Sequence, residues 1–160
     1  MILKIKSKYI VKHFTLELPK LVVTIVLLLY ISNNFTVFII VFLIYFLLLL
    51  VSIWLLYSYY KANRDQIIYL SKDELKVVNS RRNITLLTDV DDIDKIVFII
   101  PEVEMGYFPF DTFNYIKIFI KDQSPVIITN LMYDNIEDFR KVFDENKIIV
   151  KKKFICILEL

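Results

Sequence analysis

The side chains best suited to chemistry include one acidic run in the middle of the chain. Its members are Asp89, Asp91, Asp92 and Asp94. Spaced carboxylates are typical of calcium loops, because hard cations prefer oxygen ligands. Counted from the first of these residues, however, the glycine position of an EF-hand loop holds Asp94 and the position of its bidentate glutamate holds Ile100. We therefore interpret the run as a solvated acidic loop and predict no metal site.

Nucleophilic catalysis finds little support. The chain has one histidine, His13, and one cysteine, Cys156, which lie near opposite ends. A nucleophile needs a base within hydrogen-bond reach, and nothing selects such a pair. The single glycine, Gly106, excludes a glycine-rich phosphate loop, and the single cysteine excludes an internal disulfide. We expect a non-enzymatic protein without a cofactor.

The chain is organised around residues 21–60, which contain no Asp, Glu, Lys, Arg or His. As one helix this stretch would reach ~60 Å, about twice the thickness of a bilayer's hydrocarbon core. The polar cluster Ser32–Asn34 divides it. The sequence thus predicts a two-helix transmembrane hairpin at 16–60, with arms at 16–31 and 35–60. Residues 1–15 are a basic flank, and 61–160 a separate domain.

The flanks of the two arms predict their orientation. Lysines precede the first arm, and Lys61 and Arg64 follow the second. The positive-inside rule then places both termini in the cytoplasm and the protein in the cell (inner) membrane as a multi-pass protein. Long or amphipathic side chains at the arm ends predict the membrane–water interface. These are Lys20, Trp54, Tyr57, Tyr59 and Tyr60.

Beyond the second arm the apolar period changes to two, which is typical of strands. Six strands are predicted, at about 67–70, 74–79, 84–87, 95–100, 114–121 and 126–129. In the clearest one Ile116, Ile118 and Ile120 share one face.

A helix is predicted after the last of these strands. Asp134 and Glu137 have capping-box spacing, and Phe139 and Phe143 fall on one face of the helix that follows. Residues 147–160 are either a final strand or a segment on the membrane surface.

This order of elements resembles small bacterial membrane proteins with a pleckstrin-homology-like (PH-like) domain. The closest local similarity is residues 114–132 followed by the helix from Asp134, which resemble the hairpin-then-helix end of that fold; residues 91–96 are similar to the segment before its middle strand. The resemblance covers about 66–145. It implies an α+β fold, a bent antiparallel β-sheet or barrel capped by a C-terminal helix. It also implies a scaffolding or interaction role without catalytic residues.

Three cations are the best lipid-headgroup candidates of the domain, namely Lys76, Arg81 and Arg82. PH domains that bind phosphoinositides are similar in having a cage of basic side chains at their first strand turn. Here that turn, Ser71–Glu74, has one cation and two acids. Residues 61–160 hold 15 of the 20 basic residues and 17 of the 18 acidic ones, a net charge of −2. This balance argues against nucleic acid as a partner and against lipid as the main ligand.

One loop that contains both Gly106 and Pro109 concentrates apolar side chains. They are Met105, Tyr107, Phe108 and Phe110. They pack across the open end of the sheet, contact the bilayer, or form a partner-binding surface for an unknown protein or a second copy. We expect a membrane-anchored interaction or scaffold protein that presents its domain at the cytoplasmic membrane face. The alternative is a small accessory subunit of a membrane complex that contacts partners through its transmembrane helices.

We predict that Tyr107→Ala combined with Phe108→Ala weakens association with the partner, because a large aromatic anchor contributes ~2 kcal/mol or more to an interface. Arg81→Ala with Arg82→Ala is the control and should matter little. The measurement is co-purification of both double variants from detergent. Equal recovery of partner with both would contradict the partner-binding loop.

Overall fold

The computed structural model describes residues 1–31, 35–81, 83–102, 112–133, 135 and 137–158. Two long helices, α1 (Ser7–Ile31) and α2 (Phe35–Asn63), precede most of the strands. The predicted turn Ser32–Asn34 lies outside the described residues. Helix α1 begins nine residues before the predicted first arm, so part of the basic flank is helical.

The described part of the chain contains eight strands in two four-stranded sheets, with orders β1-β2-β3-β4 and β7-β6-β5-β8. All six predicted strands are present. The strands are β1 (Ile2–Leu3), β2 (Gln66–Leu70), β3 (Glu74–Asn79), β4 (Ile84–Asp89), β5 (Ile93–Pro101), β6 (Tyr115–Ile120), β7 (Val126–Thr129) and β8 (Ile148–Lys153). Neighbours are antiparallel except β5 and β8, which are parallel.

The N-terminal residues belong to the first sheet, although the sequence predicted only a basic flank there. Ile2 pairs with Tyr69 and Leu3 with Ile68, and Leu3 is buried. The lysines of this stretch suggested a flank, but the apolar residues before the first of them, Ile2 and Leu3, enter the sheet. Helix α1 starts shortly after β1 and α2 ends shortly before β2, so the pairing of β1 with β2 brings both helix ends to the same place.

The C-terminal part differs from the prediction in one element and resolves an open alternative in another. Helix α3 (Glu137–Arg140) is a single turn, followed by a 3-10 turn at Glu145–Lys147, so it is no extended cap on the sheets. Asp134, its predicted N-cap, lies outside the described residues. Residues 148–153 form β8 beside β5, which makes this part of the chain a strand.

Two apolar clusters lie on opposite faces of the second sheet. The inner cluster lies between the two sheets and includes Ile116, Ile118 and Ile120, as the alternation predicted, together with Phe139 and Phe143. The outer cluster joins the second sheet to α2. It consists of Leu55, Leu56, Tyr59, Val97, Ile99, Phe113, Tyr115, Leu131 and Cys156.

We predict that Phe139→Ala destabilises the protein by ~3–5 kcal/mol, the usual cost of emptying a buried aromatic site. Phe139 is fully buried, and its ring centroid lies 5.1 Å from that of Tyr133 in an edge-on contact. The matched control is Leu87→Ala on β4, since Leu87 is 61 % exposed. Urea unfolding of the full chain in detergent, followed by near-UV circular dichroism, measures both. Equal losses would place Phe139 outside the core.

Candidate functional site at the helix–domain junction

The last three turns of α2 present one face to the domain. Leu55, Leu56 and Tyr59 recur at helical spacing and are buried. The Tyr59 ring contacts Phe113 and Tyr115 edge-on, at centroid distances of 5.0 and 6.0 Å. This packing fixes the end of α2 against the outer face of the second sheet.

Two hydrogen bonds connect this contact to the segment after β8. The Tyr59 hydroxyl donates to the backbone oxygen of Cys156 at 2.7 Å, and the Tyr115 hydroxyl donates to that of Ile157 at 2.9 Å. Buried hydroxyls need such partners, because an unpaired one costs free energy. The segment after β8 is therefore held over the junction.

Asn63, the last residue of α2, joins the helix to the β7 edge of the sheet. Its Nδ2 donates to the backbone oxygen of Ile127 at 2.7 Å and to Oε1 of Gln66 at 3.1 Å. Its Oδ1 accepts from the backbone N–H of Thr129 at 3.0 Å. The side chain is fully buried, so these three bonds satisfy it where water does not reach. These bonds attach the end of α2 to strand β7.

Cys156 serves packing at this junction. Its side chain is buried, and desolvation raises the pKa of the thiol to about 11, although nearby Lys153 acts in the opposite direction. A nucleophilic cysteine needs a lowered pKa, because the thiolate is the reactive form. At neutral pH this thiol is protonated and poorly reactive.

The opposite side of the α2 end forms a groove of mixed character. Trp54 is 51 % exposed and Tyr57 60 % exposed. The groove is lined by Trp54, Tyr57, Ser58, Lys61, Ala62, Arg64, Asp65, Gln66, Asn79, Arg81, Ile157 and Leu158. Arg64 donates from Nε to Oδ2 of Asp65 at 3.2 Å. The structure thus brings two of the predicted interface aromatics, Trp54 and Tyr57, and the predicted lipid candidate Arg81 to one surface.

The other predicted lipid candidates lie elsewhere. Lys76 projects from β3, with its Nζ 6.0 Å from the ring centroid of Tyr69. Arg82 lies outside the described residues. The described residues therefore do not show the three predicted cations together in one cage. Of the three, only Arg81 lines the groove.

One predicted interface residue has a different environment. Trp54, Tyr57 and Tyr60 are exposed, whereas Tyr59 is fully buried at the junction. The helical period explains the difference, because Tyr59 lies one turn after Leu55 on the face that packs against the sheet. Lys20 is half-buried on α1.

The remaining predicted sites separate into two groups. Met105, Tyr107, Phe108 and Phe110 lie outside the described residues. The four aspartates of the acidic run are exposed, whereas Val90 and Ile93, which lie between them in sequence, are half-buried and buried. Oδ1 of Asp92 lies 3.9 Å from Nζ of Lys121. Lys147 donates from Nζ to the backbone oxygen of Val90 at 3.1 Å. In the described part of the chain, no three His, Cys, Asp or Glu side chains are grouped to hold a metal ion.

Sequence reasoning missed Asn63, Phe113 and Tyr115 as junction residues. The apolar face of α2 continues from Leu55 and Tyr59 to position 63, which was a usable signal for Asn63. The contacts of Phe113 and Tyr115 with α2 are separated by more than fifty residues of sequence, and single-sequence periodicity carries no information on such pairings.

Comparison with known proteins identifies the family. The family profile described as PH domain matches residues 3–141. No curated protein and no solved structure matches the chain. The matched range runs from β1 through both long helices and strands β2 to β7 to just beyond α3, and it leaves out β8. The chain therefore belongs to the PH domain family.

Proposed function

We propose that this protein is a non-enzymatic interaction module whose PH domain is held at the cytoplasmic face of the cell membrane by its two long helices. The observation that carries the proposal is the exposed apolar surface of α2, joined firmly to the domain by Tyr59 and Asn63. Family membership supports the interaction role, since PH domains are typically non-catalytic.

Helix α2 has the length and composition of a membrane span. Within the described part of the chain, Thr36–Asn63 is the one helix that is long and apolar enough to cross a membrane, and only 17 % of its most apolar stretch is buried. The part of this helix before the junction, residues 36–54, reaches about 29 Å at 1.5 Å per residue, which is close to the ~30 Å hydrocarbon core. The exposed apolar side chains include Val37, Ile40, Leu43, Ile44, Leu47 and Leu50. Contact with water would cost such a surface about 25 cal/mol per Å², so lipid is its favoured surrounding.

The placement of the helix ends supports a hairpin. The start of α1 and the end of α2 meet at the β1–β2 pair. Two helices that leave a domain together and cross a bilayer have their connection on the far side. The lysines before α1 favour the cytoplasm for the domain, and exposed Trp54 and Tyr57 suit the headgroup level.

The packed junction also determines how the anchored domain is oriented at the membrane. Because α2 ends in buried packing and hydrogen bonds, its direction fixes which faces of the domain meet the bilayer and which meet the cytoplasm. We also propose the loop with Met105, Tyr107, Phe108 and Phe110 as the surface for a protein partner or a second copy. Partner crosslinks that form through α2 instead would favour the accessory-subunit alternative.

The topology is tested by thiol labelling of intact cells. Asn33→Cys should react with an impermeant maleimide from outside, whereas Lys72→Cys, in the exposed β2–β3 turn, should react only after permeabilisation. The parent chain is the control, because its only thiol, Cys156, is buried. External labelling at position 72, or release of the chain by alkaline carbonate, would contradict the anchoring.

We predict that Asn63→Ala loosens the junction, because it leaves the backbone N–H of Thr129 and the backbone oxygen of Ile127 without their partner. Each buried group left unpaired costs ~1–3 kcal/mol. Hydrogen exchange at β7 should accelerate, while exchange at β3 should change little. Asn146→Ala, at an exposed position, is the matched control. Unchanged exchange at β7 would show that the helix packing alone holds the junction.

A further inference from the structure

Four lysines from three neighbouring strands meet on the outer face of the second sheet. This lysine face consists of Lys95 on β5, Lys117 on β6, and Lys151 and Lys153 on β8. In the strand registers Val97 lies opposite Lys117, and Ile99 lies opposite Lys151. Paired residues of neighbouring strands point to the same face of a sheet. The register therefore gathers charges that are more than fifty residues apart in sequence.

The lysine face is a shallow depression with an apolar floor. The residues that line it are the four lysines with Val97, Ile99, Phe119 and Ile149, and none of these described residues is acidic. Nζ of Lys95 lies 4.9 Å from the ring centroid of Phe119. Lys95 and Lys151 are exposed, and Lys117 and Lys153 are half-buried. Like charges collected around an apolar floor create a positive potential that favours several negative groups at once.

Acidic side chains collect at a different place. Asp89, Asp92 and Asp122 line a separate depression near Lys121. The net charge of −2 over residues 61–160 is thus divided between an acidic corner and a basic sheet face. An anionic surface that meets the basic face meets a local charge of the opposite sign.

The position of the lysine face relative to α2 points to a membrane. Val97 and Ile99, which form its floor, also belong to the outer cluster that packs around Leu55 and Tyr59 of α2. The lysines therefore lie on the same face of the sheet as the end of α2. If α2 enters a bilayer, the lysine face lies beside its point of entry.

We propose that the lysine face docks onto the anionic headgroups of the bilayer that holds α2. This inference rests on the membrane anchoring proposed above. The surface is distinct from the turn Ser71–Glu74 and from the groove that contains Arg81, which lie on other elements. Lysine is a compact point charge suited to phosphate oxygens, and Phe119 and Ile149 can meet the interfacial layer.

The test compares the full chain in lipid nanodiscs of two compositions, pure phosphatidylcholine and phosphatidylcholine with anionic phosphatidylglycerol. Brief acetylation followed by mass spectrometry reads the accessibility of each lysine. Lys95 and Lys151 should react about fivefold more slowly in the anionic discs, since a lysine near an anionic surface gains that order of partitioning. Lys72 and Lys141, which are exposed on other parts of the domain, are internal controls and should react equally in both.

Variants separate the lysine face from general charge. In the parent chain Lys117 should also react more slowly in anionic discs than in neutral ones. With Lys95→Gln and Lys151→Gln together, this protection of Lys117 should be lost. Lys72→Gln with Lys141→Gln removes the same charge elsewhere and should leave that protection intact. Salt near 1 M, where the Debye length is about 3 Å, should also abolish it.

Each remaining outcome overturns the proposal. Equal reactivity of Lys95 and Lys151 in both discs means that the face does not meet headgroups. Protection in neutral discs as well means that protein covers it, either an acidic partner or a second copy. Full protection of Lys95 and Lys151 by inorganic phosphate in the presence of neutral discs means that the face binds a soluble anion. Failure of the chain to enter nanodiscs would instead contradict the proposed anchoring, which makes the two failures distinguishable.

Discussion

The burial of the α2 end against the outer face of the second sheet is the contact on which the rest of the structure depends. A helix that ends at a folded domain leaves backbone and side-chain polar groups that need partners. The buried side chains of Tyr59 and Asn63 are two such groups, and backbone atoms of Cys156, Ile127 and Thr129 are their partners. The second sheet consequently has apolar residues on both faces. Its inner face closes the core between the sheets, and its outer face receives the helix.

This double burial explains the sequences of the central strands. In β5 the residues Ile96, Val97, Phe98 and Ile99 are all buried, as is typical of strands covered on both faces. Strand β6 alternates more clearly, because Lys117 and Phe119 on the outer face are half-buried while Tyr115 is fully buried against Tyr59 of α2. The same strand therefore contributes to the core, the helix junction and the lysine face.

Charge is distributed more unevenly in space than along the chain. The sequence places Lys95 one residue after the last of the clustered aspartates, and Lys151 and Lys153 beyond the last helix. Parallel pairing of β8 with β5 brings these lysines together, while the carboxylates of the run lie around Lys121 and the β6–β7 turn. The net charge of −2 over residues 61–160 would repel an anionic ligand on average. It describes neither the basic lysine face nor the acidic depression taken alone.

Much of the fold could be predicted from local patterns. The charge-free stretch predicted two long helices, and period-two alternation predicted six strands with Ile116, Ile118 and Ile120 facing the core. The parts that escaped prediction are those in which tertiary contacts outweigh composition. β1 has only two residues, directly before a stretch rich in lysine, and this is too short for an alternating pattern. β8 has three apolar residues followed by three lysines, so the sequence left a strand and a membrane-surface segment as open alternatives. The predicted aromatic surface at 105–110 lies outside the described residues.

The sequence by itself determined the long apolar helices and the strand faces, because these depend on residue type and spacing within one element. Only the tertiary structure decided that Tyr59 is buried, that Asn63 joins α2 to β7, and that four lysines share one face. Each of these depends on which distant strands pair and in what register. Register is set by the summed packing of whole faces, and no local stretch of sequence carries that sum.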